Sequence, residues 1–295
     1  MNLLHNCTIC PRKCGVDRYK EKGYCGATNK IKVAYYSLHK WEEPVISGKK
    51  GSGTIFFSHC NLRCLYCQNK KISLDGYGKE ITNKRLEEII LELQDKKAHN
   101  INLVTPTHYT PQIRKVLLSV KDKLKIPVVY NTSSYENVGS LMMMRNLINI
   151  YLADLRYFDD SLAEKYSGCK NYFETATMAI DEMYRQVGKY EIDENGIMKK
   201  GLIVRVLLLP GHKSDAKEII NYLYKTYKDD IFISIMNQYT PPTTCKYDNL
   251  LEKVSEDDYE EVVNFALTIG VNNAFIQEGE TALESFIPKF DKSIV

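Results

Sequence analysis

From residue 54 onward, short runs rich in β-branched residues alternate with longer amphipathic stretches, and no other feature restricts the fold as tightly. The runs fall at 54–57, 101–104, 127–130, 149–152, 203–209, 231–236 and 274–277. Between them the apolar spacing becomes helical. Thr82 and Asn83 can cap a helix bearing Leu86, Ile89, Ile90 and Leu93 on one face, Ser214 one bearing Ile219, Ile220 and Leu223, and Ser255 one with Tyr259, Val262, Val263 and Ala266 inward. This is the pattern of βα units around a parallel sheet, so the expected fold class is α/β, a partial or complete parallel (β/α) barrel with its chemistry at the carboxyl ends of the strands. Asn195-Gly196, between short β-compatible runs, reads as a hairpin inserted before the strand at Ile203. The expected organisation is a cysteine module over 1–47, a barrel core over 48–245 that opens on a Gly-rich segment at 48–53, and a helix-and-strand extension over 246–295 that packs on the core.

The 295 residues are 44% apolar and 26% charged, the balance of a soluble globular chain long enough to bury a core. Forty Lys plus Arg against 37 Asp plus Glu leave a net charge of +3, too little to attract nucleic acid or an anionic membrane without a specific site. The longest apolar stretch, 202–209, is interrupted by Arg205 and falls far short of the roughly 20 residues that span a bilayer. Residues 1–10 lack the basic start and apolar run of a secretion signal, so a cytoplasmic location is expected.

Nine cysteines in a reducing compartment read as metal ligands or free thiols rather than disulfides. Cys7, Cys10, Cys14 and Cys25 form one group and Cys60, Cys64 and Cys67 a second, whereas Cys169 and Cys245 stand apart and read as free thiols. The second group directly follows the run at 54–57. Its C-x3-C-x2-C spacing puts three thiolates on one short loop, enough for three irons of a cubane cluster and one ligand short of a closed set. An open coordination position lets a metal centre take a substrate or cofactor directly. On the residues alone, a zinc site completed by His59, Cys169 or Cys245 is the alternative.

The run from Cys60 to Cys67, with the aromatic Tyr66 before its last cysteine, resembles the signature of radical S-adenosylmethionine (SAM) enzymes. The resemblance continues through Gln68-Asn69, the segment 102–109, Tyr130-Asn131-Thr132, the segment 151–157, Arg185-Gln186-Val187-Gly188 and Leu209-Pro210-Gly211. Together with Cys10-Pro11-Arg12-Lys13-Cys14-Gly15, these segments are similar to uncharacterised relatives of pyruvate formate-lyase activating enzyme. The resemblance implies a barrel of the radical SAM type with an N-terminal four-cysteine module. It further implies a 4Fe-4S cluster on Cys60, Cys64 and Cys67 whose unique iron chelates SAM. An electron from a low-potential donor, flavodoxin or ferredoxin, would cleave the sulfonium to methionine and a 5′-deoxyadenosyl radical that abstracts a substrate hydrogen, the hard chemistry belonging to the cofactors. The implied setting is anaerobic.

Further roles follow residue by residue. Asn131-Thr132 stands where activating enzymes carry Asp-Thr-Asn-Gly, and Asp154-Leu155-Arg156 resembles their Asp-Leu-Lys, which sets these side chains against the methionine end of SAM. Asp154 and Arg156, two apart on a strand, share one face and can point into a barrel mouth or form a strand-end ion pair. Arg205 interrupts an apolar strand and needs a carboxylate partner, from the protein or from the ligand. Leu209-Pro210-Gly211 and Asn237-Gln238-Tyr239 resemble segments that pack against adenosine. Tyr66 and Tyr239 can bury the adenine faces, with ordinary aromatic packing the other reading of Tyr239. Activating enzymes hold the amino group of SAM with a Gly-Gly-Glu-Pro run, and this chain has Val104-Thr105-Pro106-Thr107-His108 there. The acceptors expected instead are Thr105 and Thr107. His108 is expected as an acceptor, a substrate-facing acid or base, or a hydrogen-bonded structural residue.

The first cysteine group offers four thiolates, which complete either a second iron-sulfur cluster or a tetrahedral zinc site. A cluster there would relay electrons or bind substrate, and zinc would staple a segment too short for its own core. The leading function is radical hydrogen abstraction from a glycyl radical enzyme partner, a peptide, a nucleotide or a small metabolite. A noncatalytic iron-sulfur electron-transfer or metal-binding protein is the alternative. A nucleic-acid-binding zinc protein is disfavoured by the balanced charge.

Overall fold

The computed structural model describes residues 3–277. Its ten-stranded sheet begins antiparallel, with β1 (Ile31–His39), β2 (Ser52–Phe57) and β3 (Lys79–Ile81). From β2 it continues in parallel through β4 (Ile101–Val104), β5 (Val128–Thr132), β6 (Ile150–Asp154), β8 (Met198–Leu207), β9 (Phe232–Met236) and β10 (Ala274–Ile276). The short β7 (Glu191–Ile192) pairs antiparallel with β8. Among the described residues the helices are α1 (Pro44–Ser47), α2 (Lys70–Ser73), α3 (Asn83–Asp95), α4 (Thr110–Val120), α5 (Val138–Met142), α6 (Asp160–Ser167), α7 (Tyr172–Val187), α8 (Lys213–Tyr227) and α9 (Glu256–Thr268). None is long and apolar enough to cross a membrane.

The seven β-branched runs are the seven parallel strands. Their hydrogen-bonded order, β10-β9-β8-β6-β5-β4-β2-β1-β3, leaves two ends unpaired among the described residues, so the barrel is partial. The Asn195-Gly196 turn joins β7 to β8, and β8 runs unbroken from Met198 to Leu207 instead of starting at Ile203. Thr82 caps α3 by accepting from Arg85 N at 3.1 Å, and Ser255 caps α9 by accepting from Asp258 N at 3.2 Å. Ser214 does not cap α8. The chain turns helical one residue before it, leaving His212 at the cap, and the first-turn carboxylate of Asp215 accepts instead from Phe158 N at 3.1 Å and Asp159 N at 2.7 Å.

The period of two sorts the parallel strands into layers. Val104, Asn131, Leu152, Ile203 and Phe232 stand in register, and Asp154, Arg205, Ser234 and Phe275 form the layer beyond them toward the carboxyl ends. On this face Leu152 and Ile203 join the deeper Val129, Ile150 and Met198 and pack with Ile46 of α1 into an apolar plug. The opposite face, including Tyr130, Tyr151, Leu202 and Val204, joins the main core with Ile89, Ile113, Ile180 and Ile220 of the helices. Burying one such side chain contributes about 1.5–3 kcal/mol. The β1–β2 connection seats the plug: Asn100 Nδ2 donates to Ile46 O at 2.8 Å, and Ser52 Oγ to Asn100 Oδ1 at 2.6 Å. The inner face therefore changes from apolar to polar along the strands, and a cavity begins where the polar layer does.

Candidate active site

A cavity of about 810 Å³ opens at this end, within the size range of small-molecule sites. Cys60, Cys64, Tyr66 and Cys67 line one wall, and Thr105, Asn131 and Thr132 come from the ends of β4 and β5. Asp154, Arg156, Arg205 and Tyr239 complete the set that the cavity brings together. Thr107, His108, Cys169 and Cys245 are not among its lining residues.

The cysteine loop is held by distant parts of the chain. Arg12 donates from Nε to Asn61 O at 2.9 Å and from Nη2 to Leu62 O at 3.1 Å, while Asn61 Nδ2 donates to Tyr135 O at 2.8 Å. Leu65 N donates to Tyr166 O at 2.9 Å. His59, before the first cysteine, has φ 76° and a ring wedged against Gly26 and Gly76, where an added Cβ would lie 2.7 Å and 2.3 Å from ring atoms. Only glycine fits at either place. Each sulfur of the loop has a polar neighbour. Cys60 Sγ accepts from Leu62 N at 3.4 Å, Cys64 Sγ accepts from Ser167 Oγ at 2.9 Å, and Cys67 Sγ lies 3.2 Å from Ser73 Oγ. Burial pushes the Cys60 thiol up to about 12 and raises Cys67 as well, so these sulfurs become thiolates readily only beside a metal cation.

The charged wall consists of two pairs of different character. Arg156 Nη2 bonds Asp154 Oδ2 at 2.5 Å, and the Arg156 Nε is buried with no hydrogen-bond partner among the described residues. Burial opposes the Arg156 charge, but the Asp154 carboxylate together with the neighbouring Cys64, Tyr66 and Tyr172 outweighs it and holds the guanidinium protonated. Arg205 finds its carboxylates within the protein: Nε and Nη2 each meet Glu43 at 2.7 Å, and Nη2 also meets Glu42. The protein thus supplies carboxylate partners for Nε and Nη2 of this guanidinium, which also lines the cavity. Burial would raise the Glu43 carboxyl, and Arg205 brings it below the usual range. Tyr66 and Tyr239 rings sit 5.9 Å apart at 51°, and the Tyr239 hydroxyl donates to Leu250 O at 2.6 Å, so both walls are packed before any ligand enters.

Two expected contributors face elsewhere. His108 is 1% exposed, with Nε2 2.8 Å from Ser58 O and its own carbonyl accepting from Arg18 Nη1 at 2.5 Å. Burial and the Arg18 charge push its imidazole down to about 3, so it stays neutral in its structural place. Thr107 Oγ1 donates to Glu136 Oε1 at 2.5 Å, and Thr132 Oγ1 donates to the same oxygen at 2.7 Å, which turns both hydroxyls toward Glu136. Burial pushes the Glu136 carboxyl up to about 7 against the pull of these donors. Sequence reading passed over Glu136; its one signal is a lone acid four residues past Thr132 in the Asn131–Glu136 segment.

The N-terminal cysteines gather beside this loop. Cys7, Cys10 and Cys25 are buried, and a Cβ on Gly23 would lie 3.5 Å from Cys25 Sγ and 3.6 Å from Cys14 Sγ. Among the described residues, no three His, Cys, Asp or Glu side chains are arranged to hold one metal ion.

Fold and cavity together define a partial (β/α) barrel with an open three-thiol site at the strand ends. The chain belongs to the radical SAM superfamily, whose model matches residues 54–223. It is 31% identical over 280 residues to an uncharacterised protein of Methanocaldococcus jannaschii, covering 90% of this chain and 75% of that one. SuiB of Streptococcus suis bound to S-adenosylmethionine matches with a TM-score of 0.52 at 15% identity, over 78% of this chain and 50% of SuiB. SuiB bound to its precursor peptide SuiA matches with a TM-score of 0.52 at 14% identity, over 75% of this chain and 47% of SuiB. This chain thus spans about half the length of SuiB, and the likeness at these identities is one of fold. Membership makes the protein a radical SAM enzyme and implies a 4Fe-4S cluster and SAM as cofactors. The residues present fit that pair: three thiols, an unpartnered guanidinium nitrogen and a polar strand-end layer share one cavity.

Proposed function

We propose that the protein is an oxidoreductase similar to pyruvate formate-lyase activating enzyme, which abstracts hydrogen from a substrate admitted to the 810 Å³ cavity. When bound, the cluster and SAM supply a 5′-deoxyadenosyl radical by one-electron cleavage of the sulfonium. Cys60, Cys64 and Cys67 would each hold one iron. Arg156, with Nε unpaired, would receive a carboxylate, and the oxygens of Asn131 and Thr105 would accept from an amine. Tyr66 and Tyr239 would exclude water from a nucleoside. Arg205, held by Glu42 and Glu43, would face the cofactor from the cavity wall. Cys7, Cys10, Cys14 and Cys25 would carry a second iron-sulfur cluster or zinc, and a flavodoxin or ferredoxin would deliver the electron. The observation that carries this reading is the set of three hydrogen-bonded sulfurs facing the strand-end cavity.

The test is anaerobic purification with iron, zinc and sulfide quantified, followed by reductant, SAM and assay of 5′-deoxyadenosine. The parent protein should form the nucleoside and Cys64→Ala should not; zinc alone at both sites would overturn the reading. Deuterium transfer into 5′-deoxyadenosine then identifies the substrate class. A glycyl radical enzyme and a peptide are the first candidates, the latter because SuiB binds one.

A further inference from the structure

Cys64 differs from its two partners in the donor that reaches its sulfur. Cys60 takes a backbone N–H from its own loop, and Cys67 lies beside Ser73, six residues away. Cys64 instead accepts from Ser167, a residue 103 positions later at the end of α6. Ser167 Oγ lies 2.6 Å from the Tyr157 hydroxyl, which lies 2.6 Å from the Tyr66 hydroxyl. With the Ser167 proton committed to sulfur, Tyr157 donates to Ser167 and Tyr66 to Tyr157, a chain of three hydroxyls whose dipoles all point at one thiolate. All four residues are buried, with Ser167 at 2% and Tyr157 at 0% exposure, so little water screens the chain. Arg12 fixes its far side, donating from Nη2 to Ser167 O at 3.2 Å and from Nη1 to Gly168 O at 2.5 Å.

We propose that Ser167 is a positioning residue that sets the reduction potential of the catalytic cluster through Cys64, with Tyr157 and Tyr66 reinforcing it. This rests on the assignment of the cluster to the three-cysteine loop. Reduction by one electron adds negative charge to the cluster and its thiolates, and a donor aimed at a thiolate stabilises the reduced form more than the oxidised one. Removing the donor therefore makes the cluster harder to reduce.

The experiment is an EPR-monitored potentiometric titration of reconstituted protein, following the signal that changes on adding SAM and is missing in Cys64→Ala. Ser167→Ala should shift its midpoint to more negative potential, and Tyr157→Phe should shift it the same way by less. Ser167→Thr, which keeps the hydroxyl, should restore the parent value, and Ser119→Ala on α4 should not move it. Unchanged midpoints in both Ser167→Ala and Tyr157→Phe would overturn the proposal. Tyr157→Phe decides it alone where Ser167→Ala does not fold. A parent protein without a SAM-responsive cluster would instead sink the assignment of the loop itself.

Discussion

Cys7 and Cys14 of the first cysteine group sit among Leu3, Leu4, Ile9 and Val16 in a small apolar cluster, whereas Cys25 and all three cysteines of the second group pack against the main core. Turns in the first group are closed by local backbone bonds, Cys7 N to Val16 O, Gly15 N to Cys7 O and Lys13 N to Cys10 O, each 3.0 Å. The second loop is fastened by Arg12, Tyr135, Tyr166 and Ser167, and its sulfurs face a cavity. Four thiols are enough ligands to close a metal site without a further group. A set of three held from outside can keep its shape while one position stays open to a ligand. The two meet at Arg12, between Cys10 and Cys14, and at Gly26 against the His59 ring.

The sharpest break in this comparison is Cys64→Ala, which should abolish 5′-deoxyadenosine formation and the loop's share of iron while metal at the first group persists. Cys10→Ala should do the reverse to the metal content, leaving the SAM-responsive signal in place. Next is Arg205→Met, which leaves Glu42 and Glu43 buried beneath the cavity without a countercharge and should cost about 3–5 kcal/mol in urea denaturation. A loss within 1 kcal/mol would show that the pair is not the anchor of the cavity floor. Arg12→Ala separates the groups. It should cost about 1.5–3 kcal/mol, the worth of a charged hydrogen bond, and lower iron retention at the loop more than at the first group.

The smallest expected effect is a pH slope. The Glu136 carboxyl titrates near about 7 in the folded chain against an ordinary 4.5, so the native state holds the proton more tightly than the unfolded one. Its contribution is full at acidic pH and is lost as pH rises from about 4.5 to about 7, with a slope of at most about 1.4 kcal/mol per pH unit. Glu136→Gln should flatten that part of the stability profile, and an unchanged slope would assign it to another group.

The strands were legible because burial between helices demands continuous apolar runs, and Thr82 and Ser255 marked helix starts because a hydroxyl satisfies an otherwise free backbone N–H. β1 was not read, since 31–39 lies in a segment dominated by its cysteines and its pairing with β2 is nonlocal. The cavity wall around Cys60–Cys67 followed from the loop's place at a strand end. What the sequence could not give was which way a side chain turns. His108 looks inward to Ser58 O, Thr132 turns its hydroxyl to Glu136, and Arg205 is met by Glu42 and Glu43 from 162 or more positions away. The Arg205 contact depends on how the β1–β2 connection crosses the barrel, which no local pattern encodes.

The most direct measurement of the central claim is the EPR spectrum of the anaerobically reduced protein with and without SAM labelled with 15N at its amino group. The open three-thiol site predicts a cubane signal that shifts on SAM addition and shows hyperfine coupling to the label. A cluster signal indifferent to SAM and without that coupling would mean that a protein side chain completes the set, and would contradict the account.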